Sequence, residues 1–181
     1  MSMESTLTSW ADQTWPGPEA DEILPGLFQG GTADDEVIGN PAAKGHYARL
    51  GHPGRDAFPF DLVVTLYADA QPAPWGVVEL RFGFPDGILH PADAAQAVAL
   101  ARLAHQAWRA GDRVLVRCQA GVNRSGLVAA LILMLDGYQP VEAIELLRSR
   151  RSPVVLANAH FATWLVNQAP GLVDAPIGHA A

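Results

Sequence analysis

A chain of 181 residues, 49% of them hydrophobic, can bury one substantial core. With 19 acidic against 12 basic side chains its formal net charge is −7, which argues against a broad electrostatic grip on nucleic acid or anionic lipid, so any bound anion must be held by a local pocket. One cysteine excludes an intramolecular disulfide, MSMESTLTSWADQ lacks the basic start and apolar run of a signal peptide, and the longest strongly apolar stretch, Leu127 to Leu135, is far shorter than the roughly 20 residues that cross a bilayer. A protein without a membrane span, in the reducing cytoplasm, is expected.

In chain order, residues 1–22 read as an irregular lead-in with Pro16, Gly17 and Pro18. ILPGLFQGG then offers a short strand at Leu27 and Phe28. A helix around Tyr47, Ala48 and Leu50 is expected, followed by loop in GHPGRDAFPF. DLVVTLYA (Asp61 to Ala68) is a continuous β-branched run, the pattern of a strand covered on both faces, and VVELRF (Val77 to Phe82) is a second strand. Pro91 to Ala110 is the clearest helix, opened by proline and closed by Gly111, with Ala94, Val98, Ala101, Leu103 and His105 on a largely apolar face.

RVLVRC (Arg113 to Cys118) reads as another buried strand. GLVAALILMLDG is apolar on every side and closed by Gly137, so it reads as a helix at the centre of the domain. Two more helices follow, Pro140 to Arg150 and Ala159 to Gln168, the latter N-capped by Asn158, and residues 173–181 read as a tail. Strands alternating with helices give one α/β domain spanning 1–181, with a mainly parallel central sheet flanked by helices.

The chemistry lies in LVRCQAGVNRSG. Cys118 ends a strand, and residues 119–124 turn into a helix whose unpaired amides and dipole suit a tetrahedral oxyanion at the carboxyl edge of the sheet. Gly121 lets the loop curl, and the planar guanidinium of Arg124 can grip two phosphate oxygens. Helix N-termini and nearby cations favour the thiolate over the thiol, so Cys118 is expected to be ionised, accessible and nucleophilic beneath a bound phosphorus. Ser125 either helps the sulfur leave or caps the helix, and the two uses are compatible. A lone cysteine at the end of an apolar strand is usually only a small core residue; here C-x5-R, an internal glycine and the following serine occur together.

CQAGVNRSG resembles the signature H-C-x5-R-S/T of cysteine-dependent protein tyrosine phosphatases, and ILPGLFQGG with AIELLRSRRSPVVLANAHFATWL is similar to flanking parts of the dual-specificity branch. The likeness covers most of Ile23 to Leu165. It implies a protein tyrosine phosphatase-like fold, Cys118 as nucleophile, Arg124 as phosphate clamp, the amides of Gln119, Ala120, Gly121, Val122, Asn123 and Arg124 as the phosphate cradle, and Ser125 as the helper of the leaving thiolate. Arg117 departs from the pattern, since the family usually has histidine there. Strand alternation turns Arg117 away from Cys118, toward a carboxylate partner beneath the loop.

Cleaving a phosphate ester needs a carboxylic acid to protonate the departing oxygen, and its carboxylate must later activate water. Asp86, in FPDG after a strand, is the preferred acid; Asp93 suits a helix first turn and Asp69 a turn. His90, His105 and His160 read as turn or half-buried packing residues, no pair has metal-ligand spacing, and neither metal nor other cofactor is expected. The expected function is phosphomonoester hydrolysis through a cysteinyl-phosphate, on a phosphorylated protein or another phosphomonoester. The rivals are a catalytically weak phosphate-binding module, an RNA 5′-phosphatase and a rhodanese-like sulfur transferase. Nothing in the sequence bears on oligomeric state.

Overall fold

The computed structural model describes residues 20–32, 59–73 and 75–173. Strands β1 (Asp21–Leu24), β2 (Leu27–Gly31), β3 (Leu62–Thr65), β4 (Val78–Arg81) and β5 (Val114–Cys118) form one sheet in the order β1-β2-β5-β3-β4. Only the β1–β2 hairpin is antiparallel; β2–β5, β5–β3 and β3–β4 are all parallel. The mainly parallel α/β sheet expected from the sequence is therefore present, as a five-stranded mixed one.

β5 is central, and all of its residues are buried. Successive side chains of a strand face opposite ways. Val114, Val116 and Cys118 consequently join the helix-covered core with Leu62 and Val64, while Leu115 and Val63 face a smaller cluster with Phe28, Phe60, Ala73 and Val77. The helical layer comprises α1 (Pro91–Arg109), α2 (Arg124–Leu135), α3 (Pro140–Arg150), α4 (Ala159–Asn167) and α5 (Ala169–Val173). α2 is apolar on every side because it is covered on every side: residues 124–133 are all buried, among α1, α3, α4 and β5. Burying each of its leucines contributes about 2 kcal/mol of transfer free energy. α1 packs on α2, β3 and β5, and its buried residues include Ala94, Ala97, Ala101 and Ala104, small side chains that permit close approach. At the head of α3, Gln139 and Glu142 form a reciprocal capping box.

Four expectations need correction. β1 begins at Asp21, inside the expected lead-in, because DEIL folds back on β2 through a turn at Pro25 and Gly26. α5, not expected, follows the last predicted helix and ends at Val173, the first residue of the expected tail; Arg102 holds it by donating to the carbonyls of Leu172 (2.8 Å) and Val173 (3.2 Å). Leu103 is exposed, on the outer side of α1, and His160 is exposed rather than half-buried. The helix expected around Tyr47, and most of the loop after it, lie outside the described residues.

Candidate active site

Residues 119–123 link the end of β5 to α2, which begins at Arg124. Every carbonyl from Cys118 to Asn123 accepts a hydrogen bond. Thr32 N donates to Cys118 O (2.8 Å) and Gln119 O (3.1 Å); the Arg151 guanidinium donates to Ala120 O (3.4 Å) and Gly121 O (2.6 Å); Leu156 N donates to Val122 O (3.4 Å), and Leu127 N to Asn123 O (2.8 Å). None of the amides of residues 119–124 donates to another group among the described residues. With the carbonyls turned to these partners, the amides remain as a cluster of donors, which is what an oxyanion cradle requires. Gly121 has φ +67°, and a Cβ there would collide with the Gly30 carbonyl group and the Arg151 guanidinium. Any other residue would therefore push the loop off β2.

Cys118 lies under this loop on the helix-facing side of β5 and is 2% exposed, so the accessible thiol expected from the sequence is in fact sheltered at the floor of the site. It is not turned into plain hydrocarbon: its Sγ lies 3.4 Å from Ser125 Oγ. Arg124 is buried, with Nη1 donating to Leu66 O (3.4 Å) and Phe84 O (3.3 Å) and its guanidinium 5.3 Å from the Tyr67 ring centroid. Its Nε is buried and has no partner among the described residues, an orphan donor beside the loop.

Arg117 follows the strand alternation. On the far face of the sheet its Nε donates to Thr65 Oγ1 (2.9 Å), and its Nη2 to Gln71 O (2.6 Å) and Glu79 Oε1 (3.2 Å). Burial pushes the Glu79 carboxyl up; the Thr65 hydroxyl, the Ala73 amide, Arg81 and Arg117 outweigh it and hold the group below 4.5. The carboxylate partner expected for Arg117 is thus Glu79. Behind the loop, burial lowers the Arg151 pKa against the opposing pull of Asp21, whose Oδ2 is 2.7 Å from Nη1. Arginine remains a cation at neutral pH even so.

Asp86 comes to the loop, and Asp69 and Asp93 do not share its contacts. Asn123 Nδ2 donates to its Oδ2 (3.0 Å) and Asn158 Nδ2 to its Oδ1 (2.9 Å). Two residues earlier, Phe84 is buried and packs on Phe161 of α4 with ring centroids 6.0 Å apart, which anchors the segment. Asp69 sits exposed in a turn, and Asp93 lies in the first turn of α1. Asn158 does cap α4, through Oδ1 accepting from His160 N at 3.0 Å. Capping uses only the oxygen, so the amide nitrogen is free to hold Asp86, a second use that sequence reading missed. Arg151 and Gln29 were missed as well, since their contacts with the loop span 30 and 92 residues.

Residues 98–169 match the family model of the dual specificity phosphatase catalytic domain. Human DUSP28 superposes with a TM-score of 0.64 at 26% identity, over 90% of this chain and 100% of that one. A mouse putative dual specificity phosphatase, solved with zinc tungstate, gives 0.63 at 26% identity over 93% and 94% of the two chains. OH1 from the Orf virus, described as a tyrosine phosphatase with triple substrate specificity, gives 0.61 at 22% identity over 86% and 90%. No curated protein matches the chain. Fold, loop and family model coincide: residues 98–169 are similar to the dual specificity phosphatase catalytic domain, and the chain shares the fold of the phosphatases it superposes on.

Proposed function

We propose that Cys118 attacks the phosphorus of a phosphorylated protein side chain while Asp86 protonates the departing oxygen, giving a cysteinyl-phosphate. Water, deprotonated by Asp86, then attacks phosphorus; the P–S bond breaks, the sulfur leaves as a thiolate, and inorganic phosphate departs. The amides of residues 119–124 and the Arg124 guanidinium hold the equatorial oxygens, where charge builds up in both transition states. Ser125 donates a hydrogen bond to the leaving sulfur.

One observation carries this reading: all the carbonyls of the loop are engaged by the surrounding protein, so the donors are left for the ligand. It favours a tetrahedral oxyanion, and Ser125 and Asp86 favour phosphate hydrolysis over sulfur transfer. Arg117, whose presence motivates a merely binding module, is engaged on the opposite face by Thr65, Gln71 and Glu79 and does not obstruct the site. Gln119, Ala120, Val122 and Asn123 bring no added charge, which favours phosphoprotein over polyphosphorylated lipid, and a net charge of −7 disfavours RNA. The need for a reduced thiol makes the cytoplasm the proposed setting.

Two variants test the proposal on an aryl phosphate. Cys118→Ser removes turnover, by about a thousandfold or more, while inorganic phosphate still binds by calorimetry; normal turnover in this variant sinks the mechanism. Asp86→Asn lowers kcat about a hundredfold with little change in KM, and an unchanged kcat moves the acid elsewhere.

A further inference from the structure

β2 carries one polar side chain where its surroundings are apolar. Gln29 is completely buried, between Phe28 and Gly30, on the strand beside β5. Burying a primary amide costs about 1–3 kcal/mol unless its hydrogen bonds are replaced, so a leucine here would avoid a penalty that glutamine incurs. Both contacts of its nitrogen reach the phosphate loop: Nε2 donates to Gly121 O (3.1 Å) and to Ser125 Oγ (3.2 Å). The Gly121 carbonyl can only accept, and that fixes which end of the Gln29 amide faces the loop. Oε1 points the other way and finds no partner among the described residues.

We propose that Gln29 is a positioning residue, which orients the Ser125 hydroxyl so that its hydrogen points at the Cys118 sulfur whenever that sulfur carries no proton, as in the cysteinyl-phosphate and the thiolate. The inference deepens the proposed mechanism and rests on it. A serine hydroxyl has one hydrogen and two lone pairs. With Gln29 Nε2 donating into one lone pair, the hydrogen is directed away from Gln29, and the remaining polar neighbour at hydrogen-bond range is Sγ, at 3.4 Å. While Cys118 is a neutral thiol, its S–H donates to Ser125. When the P–S bond of the cysteinyl-phosphate breaks, the sulfur takes the bonding pair, the proton of the attacking water goes to Asp86, and Ser125 donates a hydrogen bond to the thiolate without losing its proton. Gln29 thus keeps the hydroxyl facing the sulfur before charge appears there. Pre-set donors of this kind need no reorganisation during the reaction.

The effect belongs to the second chemical step, and that separates it from a purely structural role. In Gln29→Met, hydrolysis of the cysteinyl-phosphate slows about three- to tenfold, the worth of one neutral hydrogen bond. Rapid mixing with a chromogenic aryl phosphate then shows a burst of released phenol and a larger trapped phosphoenzyme, with the burst rate and the inhibition by inorganic phosphate within about twofold of the parent. Gln29→Asn, too short to reach both partners, shows the same loss and guards against a misfolded Met variant. In a Ser125→Ala background, Gln29→Met brings no further slowing, because the group it acts through is gone. Additive losses in the double variant, or a loss confined to the burst and to phosphate inhibition, mean that Gln29 only braces the Gly121 carbonyl, and the proposal falls. If no variant and not the parent turns over any phosphate ester, it is the proposed function that fails. Alkylation of Cys118 by iodoacetamide at mildly acidic pH then decides on Gln29: slower reaction in Gln29→Met than in the parent, seen only when Ser125 is present, supports the role, and equal rates overturn it.

Discussion

Leu156 is, among the described residues, the one non-glycine residue with a positive φ (57°), and it is also buried. The left-handed conformation costs about 1–2 kcal/mol for a residue with a Cβ, yet it aims the Leu156 amide at the Val122 carbonyl of the phosphate loop. Leu156→Gly removes that strain and also a core side chain worth about 2–5 kcal/mol. The second term is larger, so the variant should unfold at lower urea concentration, by a net loss of about 1–3 kcal/mol; a gain in stability would mean that Leu156 packs poorly. On the opposite face of the sheet, Glu79→Gln removes a carboxylate from beside the buried Arg117 and should cost about 2 kcal/mol at neutral pH. The Glu79 carboxyl is depressed on folding, so its contribution is complete above 4.5 and is lost as pH falls through the lowered folded value. The stability gap between parent and variant should therefore close in acid, and a gap independent of pH would place the stabilisation outside that carboxylate.

The segment between α3 and α4 is the element that ties the candidate site together, because it meets residues 119–123 and Asp86 at once. Asn158 N donates to Asn123 Oδ1 (3.0 Å) while its side chain caps α4 and holds Asp86. Asn158→Asp keeps the capping oxygen but replaces the donor to Asp86 with a second carboxylate. Its melting temperature should stay close to that of the parent while kcat falls, whereas Asn158→Ala should lose about 1 kcal/mol through the cap as well. Equal kcat in parent and Asp variant would mean that Asp86 does not need this tether. At this scale, long elements with one period were legible: α1, α2 and α3 follow from proline starts, apolar spacing and glycine stops. β1 and α5 were not. β1 is four residues with two acids, stabilised by pairing with β2, and α5 is a five-residue APGLV turn held by Arg102 from α1. Neither has enough local pattern to stand out, since its stability comes from a distant partner.

The same distinction, local signal against long-range contact, separates the parts of the site across the whole molecule. Cys118, Gly121, Arg124 and Ser125 share one short stretch, so their spacing reveals the loop; Asp86 was singled out because the proposed chemistry needs an acid and a loop follows a strand there, and the fold brings it to that loop. Gln29, Asp21 and Arg151 brace that loop from separate ends of the chain, and only the folded sheet makes them neighbours. Charge is a further property that belongs to no single residue. A net charge of −7 surrounds the proposed anion site, so approach of an acidic phosphopeptide should be opposed at long range even where the loop amides favour capture at short range. Raising ionic strength to about 0.15 M shortens the screening length to about 8 Å, which weakens the long-range repulsion more than contacts inside the loop. For a phosphopeptide rich in Asp and Glu, kcat/KM should therefore rise severalfold from low to physiological salt, while a small aryl phosphate changes little. A fall with added salt on the acidic peptide would instead reveal a basic track that guides substrate to the site, and the preference for phosphoprotein over RNA would then lose its electrostatic argument.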